Sequence, residues 1–198
     1  MKIGSWALAC AAGLAVSCAA GESRAALLSY FGNMNGASES PANSSLGTGT
    51  VQVDVDTTLN TMRVRASFAG LTGNTTAAHI HGATAVPGTG TASVMTTTPT
   101  FAGFPLGVTS GSMDQTYDLT LASTYNSSLV TAQGSVAGAQ AALLNSLANG
   151  TSYFNVHTSA FGGGEIRAFL TVPEPTGLAA VALVAVPALV RRRRSARD

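Results

Sequence analysis

The chain has 198 residues, three histidines, two cysteines and a formal net charge of +1, a length that suits one domain with a core of its own. That near-neutral sum hides a division: between residues 26 and 175 seven acids face three arginines, a net of −4. The span carries no basic patch, which argues against nucleic acid or anionic lipid as its partner. Both cysteines, Cys10 and Cys18, fall before it, so the folded part is expected to hold without a disulfide.

Residues 1–25 read as a secretory signal peptide, with Lys2 as the positive start and an apolar, small-residue run from Trp6 to Ala20. Ser23-Arg24-Ala25 offers a small-x-small cleavage site, with Cys18-Ala19-Ala20 as the alternative. The domain proper is then 26–172, opening with a strand over Ala26–Phe31 and a Gly/Asn/Ser/Pro loop to Gly47. Val51, Val53 and Val55 alternate with Gln52, Asp54 and Asp56. After a turn at Thr57–Asn60, Met62, Val64, Ala66 and Phe68 alternate with Arg63 and Arg65. Period-two patterns joined by turn residues predict an antiparallel hairpin, with an acidic outer row beside a basic one.

Turn chemistry at Ala69–Asn74 leads to a strand over Thr75–His81, a loop at Gly82–Gly90 and a short strand at Thr91–Met95. An irregular stretch with Pro99 and Pro105 precedes a strand within Val108–Leu121. The period then changes: the alanines and leucines of Gly138–Gly150 favour a helix that packs on the sheet, with Gly150 as its C-terminal cap. Strands at Ser152–Thr158 and Glu165–Val172 close the domain. Many strands, one short helix and Gly-rich turns predict an all-β fold, an antiparallel β-sandwich.

On strands, side chains two apart share a face. His79 and His81 therefore oppose Ile80, Asn155 and His157 oppose Phe154 and Val156, and Glu165 and Arg167 oppose Ile166 and Ala168. Each apolar set should meet the core, and each polar set should face away from it. The polar set admits two readings. One is a metal site for copper or zinc, with His79, His81 and His157 as imidazole ligands and Glu165 as a carboxylate ligand or a partner to a ligand. The other is structural, with neutral imidazoles, Asn155, Thr158, Glu165 and Arg167 satisfying one another and the glycine loop. Nucleophilic catalysis lacks a Gly-x-Ser-x-Gly elbow, and Glu165 lacks the second acid a glycosidase needs.

Phe68-Ala69-Gly70-Leu71-Thr72, Ala77-Ala78-His79-Ile80-His81-Gly82, Gly150-Thr151-Ser152-Tyr153-Phe154-Asn155-Val156-His157-Thr158 and Gly163-Gly164-Glu165-Ile166-Arg167 together resemble the CHRD domain, first described in chordin. The resemblance implies an immunoglobulin-like or Greek-key sandwich and a secreted binding or structural module without catalytic activity. Its partners would be extracellular protein or polysaccharide. A His-x-His strand on a sandwich is also similar to the copper/zinc superoxide dismutases, but that site needs more histidines than the three present.

Pro173, Glu174 and Pro175 precede an apolar run from Gly177 to Val190 and then Arg191, Arg192, Arg193 and Arg194. Fourteen helical residues span about 21 Å, short of a hydrocarbon core of about 30 Å, and the arginines would stay cytoplasmic. This tripartite segment, 173–198, resembles the PEP-CTERM sorting signal. The resemblance implies a bacterial envelope, surface or matrix destination, transient membrane anchoring by the hydrophobic helix alone, and an exosortase-like processing protease as partner.

Overall fold

The computed structural model describes residues 27–173. The expected signal peptide and nearly all of the sorting segment, from Glu174 through Arg191–Arg194, lie outside the described residues. Pro173 is exposed at the end of the domain. No described helix is long and apolar enough to cross a membrane.

The predicted hairpin is the centre of the fold. β1 (Leu27–Asn35), β2 (Thr48–Asp56) and β3 (Thr61–Ala69) are antiparallel neighbours, with Val53 opposite Val64 and Val55 opposite Met62. The alternation sends Val51, Val53, Val55, Met62, Val64, Ala66 and Phe68 into the core. Asn60 turns the hairpin in the left-handed region (φ 53°), a conformation asparagine tolerates better than most residues. β4 (Thr75–His81), β5 (Gly111–Asp118), β6 (Tyr153–Thr158) and β7 (Ile166–Phe169) complete one seven-stranded sheet in the order β4-β6-β7-β1-β2-β3-β5. It curls into a half-barrel, so the all-β reading holds and the architecture is consistent with a sandwich. Ala78, Ile80, Phe154, Val156, Ile166 and Ala168 meet the valines of the hairpin in one core.

Among the described residues two α-helices accompany the sheet, where the sequence pattern of the domain shows one. The predicted helix is α2, Val136–Ala148, following α1, Ser127–Gln133. In α2, Ala139, Leu143 and Leu147 recur at four-residue spacing and are buried. Ser135 caps its start by accepting from the Gly138 amide, and Gly150 closes it at φ 65°. α1 buries no residue fully, so it leaves no apolar stripe in the sequence to read.

The charge rows pair diagonally rather than straight across. Arg65 binds Asp54 of β2, whereas Arg63 reaches Asp114 of β5. Asp56 pairs with no arginine; its carboxylate accepts from the Thr58 and Leu59 amides and shapes the turn.

The predicted strand at Thr91–Met95 does not form as a ladder; Val94 makes one isolated bridge to His81. The 82–110 segment instead covers the outer edge of β4 irregularly. Met95 and Phe101 amides donate to Ile80 and Ala78 carbonyls, while the Thr96 and Thr100 hydroxyls accept from the Ile80 and Ala78 amides. Threonine side chains thus replace backbone partners along an edge that would otherwise be open to another chain.

Candidate metal centre

β4 and β6 are adjacent and antiparallel, with His79 opposite Asn155, His81 opposite Tyr153 and Ala77 opposite His157. This register places His79, His81, Asn155 and His157 on one face, away from the core. Ala77 presents only a methyl opposite His157, leaving room for that ring to lean across. The three imidazoles gather with centroid separations of 5.2 to 5.9 Å.

The polar face does not meet solvent as the alternation implies. His79, His81, Asn155 and Arg167 are all buried, and only His157 is partly exposed. Loops roof this side of the sheet: Pro99 and Ala92 belong to the β4 cover, Gly162 to the β6–β7 turn, and Ser38 and Glu39 to the segment after β1. Periodicity assigns a face, but it is blind to a loop that returns to cover that face.

Each histidine spends one ring nitrogen on a backbone carbonyl. His79 Nε2 donates to Pro99 O at 2.6 Å, His81 Nδ1 to Ala92 O at 2.9 Å, and His157 Nδ1 to Gly162 O at 2.9 Å. A carbonyl only accepts, so these contacts fix the N–H and leave the opposite nitrogen of a neutral ring with a lone pair. Those nitrogens, His79 Nδ1, His81 Nε2 and His157 Nε2, are buried and have no protein partner. The ligand atoms of the three residues lie within 4.8 Å of one another. An ion at the centre of such a triangle would sit no more than about 2.8 Å from each. Closing to the about 2.0–2.1 Å of a zinc–imidazole bond takes under about 1 Å of ring movement.

Burial disfavours the charged form of all three rings, outweighing the carbonyl hydrogen bonds, and each pKa falls below 6.5. His81 is lowered most, to about 4. It stacks on Tyr153 at 4.8 Å with planes 9° apart, and the Arg167 guanidinium sits 4.7 Å from the Tyr153 centroid. At neutral pH the cluster is therefore three neutral acceptors facing one another.

Glu165 is not part of this cluster. Its fully buried carboxylate accepts from the Ser45 and Thr158 hydroxyls at 2.6 Å, from the Gly73 amide at 3.2 Å, and from the Thr72 amide. Burial alone would raise its pKa, yet these four donors hold it below the ordinary carboxylate value. Glu165 ties together the segments before β2 and before β4 and the end of β6, a structural role.

One further residue escapes the sequence pattern. Glu39 is buried, accepts from Asn155 Nδ2 at 2.8 Å, and lies 3.8 Å from Arg167 Nε. Arg167 donates to the carbonyls of Ser38 and Gly90. Glu39 sits in a polar, aperiodic loop, and nothing in its spacing points to the histidines.

The three histidines, Asn155, Glu165 and Arg167 all fall in the motifs that resemble the CHRD domain, and the CHRD domain family matches residues 30–170. The chain belongs to the CHRD-domain family. The match runs from within β1 to just past β7 and includes β4 and β6, the two strands that carry the three histidines. No curated protein and no solved structure is a match for the chain.

Proposed function

We propose that this CHRD domain is an exported binding module whose ligand is a transition metal ion, copper or zinc, held by His79, His81 and His157. CHRD membership supports an extracellular-type binding module. The observation that carries the metal reading is a trio of histidines that offer ligand nitrogens within 4.8 Å of one another, each with one buried ring nitrogen that has no protein partner. A water molecule has two hydrogens and cannot satisfy three acceptors, whereas a cation serves all three at once. Protonating one ring to donate to another is opposed by the burial that lowers each pKa. Imidazole donors suit copper and zinc, and the backbone carbonyls behind the rings hold each tautomer ready for the ion.

Export by residues 1–25, and delivery to the envelope or matrix through the 173–198 segment and an exosortase-like protease, fit this reading. Extracellular protein or polysaccharide contacts would then use the outer loops.

The test is elemental mass spectrometry of the purified protein after exposure to copper and zinc, alongside the His79→Ala/His81→Ala variant. About one ion per chain, lost in a variant that keeps its circular dichroism, supports the reading. A parent that retains no metal overturns it.

A further inference from the structure

The floor of the histidine cluster is Asn155. In the β4–β6 register it stands directly opposite His79, diagonal to His81, and two residues from His157 on its own strand. No other position of the pair neighbours all three rings on that face. Direct cross-strand neighbours have Cβ atoms about 4.5–5.5 Å apart, and diagonal ones about 7–8 Å, within reach of an ion held between the rings.

Asn155 is 2% exposed, and its two amide ends are treated differently. Nδ2 donates to Glu39 Oε1 at 2.8 Å. Oδ1 is buried and has no protein partner. While Glu39 is ionised its carboxylate can only accept, which turns Asn155 Nδ2 towards Oε1, and Arg167 Nε lies 3.8 Å from the other oxygen, Oε2. Glu39 and Arg167 stand on the β7 side of Asn155, since Asn155 pairs with Arg167 across β6 and β7. With Nδ2 committed there, Oδ1 is left on the side of β4 and the imidazoles. Gly164 preserves the arrangement: at φ 133°, an added Cβ would come within 2.2 Å of Asn155 Nδ2 and 2.7 Å of Glu39 Oε1.

We propose that Asn155 Oδ1 is the fourth protein donor of the metal centre, giving a closed site of three nitrogens and one oxygen. The inference rests on the three-histidine reading and adds a consequence to it. A site with three protein ligands keeps a position open for water or substrate, whereas four fill a tetrahedron and leave an ion that is held rather than catalytic. Glu39 is the positioning residue that turns the amide, and Arg167 in turn neighbours Glu39.

The test uses cobalt(II) as a spectroscopic probe in the parent, Asn155→Ala and Asn155→Asp, with azide as a competing ligand. The parent should bind one cobalt with a tetrahedral absorption spectrum that azide leaves unchanged. Asn155→Ala should bind at least about tenfold more weakly, and its spectrum should shift on adding azide. Asn155→Asp, which keeps an oxygen donor in place, should restore both affinity and insensitivity to azide; near-ultraviolet circular dichroism checks that each variant is folded. A parent that takes up cobalt but responds to azide, or an Asn155→Ala protein with unchanged affinity, overturns the fourth ligand alone. A parent that takes up no cobalt overturns the three-histidine reading along with it.

Discussion

His79 and His81 lie two residues apart on one strand yet present opposite nitrogens to their shared space. His79 donates through Nε2 to Pro99 and keeps Nδ1 free; His81 donates through Nδ1 to Ala92 and keeps Nε2 free. Their rings stand nearly perpendicular, at 80° with centroids 5.7 Å apart. Two lone pairs from one strand thus converge only because two different points of the covering loop turn the rings.

Metal binding should stabilise the fold, because the unfolded chain holds no such arrangement. At a free ion concentration about one hundred times the dissociation constant the gain is about 2.7 kcal/mol, several degrees in Tm for a domain of this size. Differential scanning calorimetry with zinc and then with a chelator should show the rise and its reversal. The same shift in a His79→Ala/His81→Ala/His157→Ala variant would contradict the assignment.

The metal-free protein should lose stability on acidification through its histidines. Their folded pKa values lie below 6.5, with His81 at about 4. Between those values and 6.5 the unfolded chain binds more protons, so this stabilisation is full above pH 6.5 and is lost as pH falls towards 4. Glu39 acts oppositely: burial, against the pull of Arg167, raises its pKa from 4.5 to about 7. Its contribution is full below pH 4.5 and is lost as pH rises towards 7. Comparing parent with His81→Gln cancels the Glu39 effect. Denaturant titrations from pH 7 to 4.5 should show the parent losing more stability than the variant, by on the order of 3 kcal/mol.

Glu165→Ala should cost about 3–5 kcal/mol, since it strands the Thr72 and Gly73 amides and removes the hub joining Ser45 and Thr158. Glu165→Gln should cost less but remain destabilising, because an amide nitrogen cannot accept from the donors on its side. Metal stoichiometry of the folded Gln variant should stay at the parent value. Loss of metal from that folded variant would place Glu165 at the centre after all.

Arg167→Met should destabilise by about 3–5 kcal/mol at pH 8, where buried Glu39 must either stay charged without its arginine or take up a proton. Adding Glu39→Gln should recover part of that loss, and a double-mutant cycle reads the coupling. Arg167→Lys should not substitute, since a lysine cannot cover the Tyr153 and Phe169 rings while donating to Ser38 and Gly90. Additive losses in the cycle would show that Glu39 and Arg167 act independently.

The sequence by itself determined the elements and their faces. Alternation at Val51–Asp56 and Met62–Phe68 settled a hairpin and its buried side, because a one-residue slip would turn every valine to water. The same period put His79 with His81 and Asn155 with His157, and the leucines of α2 marked its packing stripe. Tertiary structure decided everything that depends on who lies beside whom. Strand order made β4 the neighbour of β6 and so joined residues 79 and 157, a pairing no period encodes. The returning loops buried a face the alternation assigned to the outside, and their carbonyls chose the tautomer of each imidazole. They also drew Glu165 to the amides of Thr72 and Gly73, away from the histidines, and brought Glu39 to Asn155. Local spacing fixes the direction of a side chain, but the partner that awaits it is set by chain segments tens of residues away.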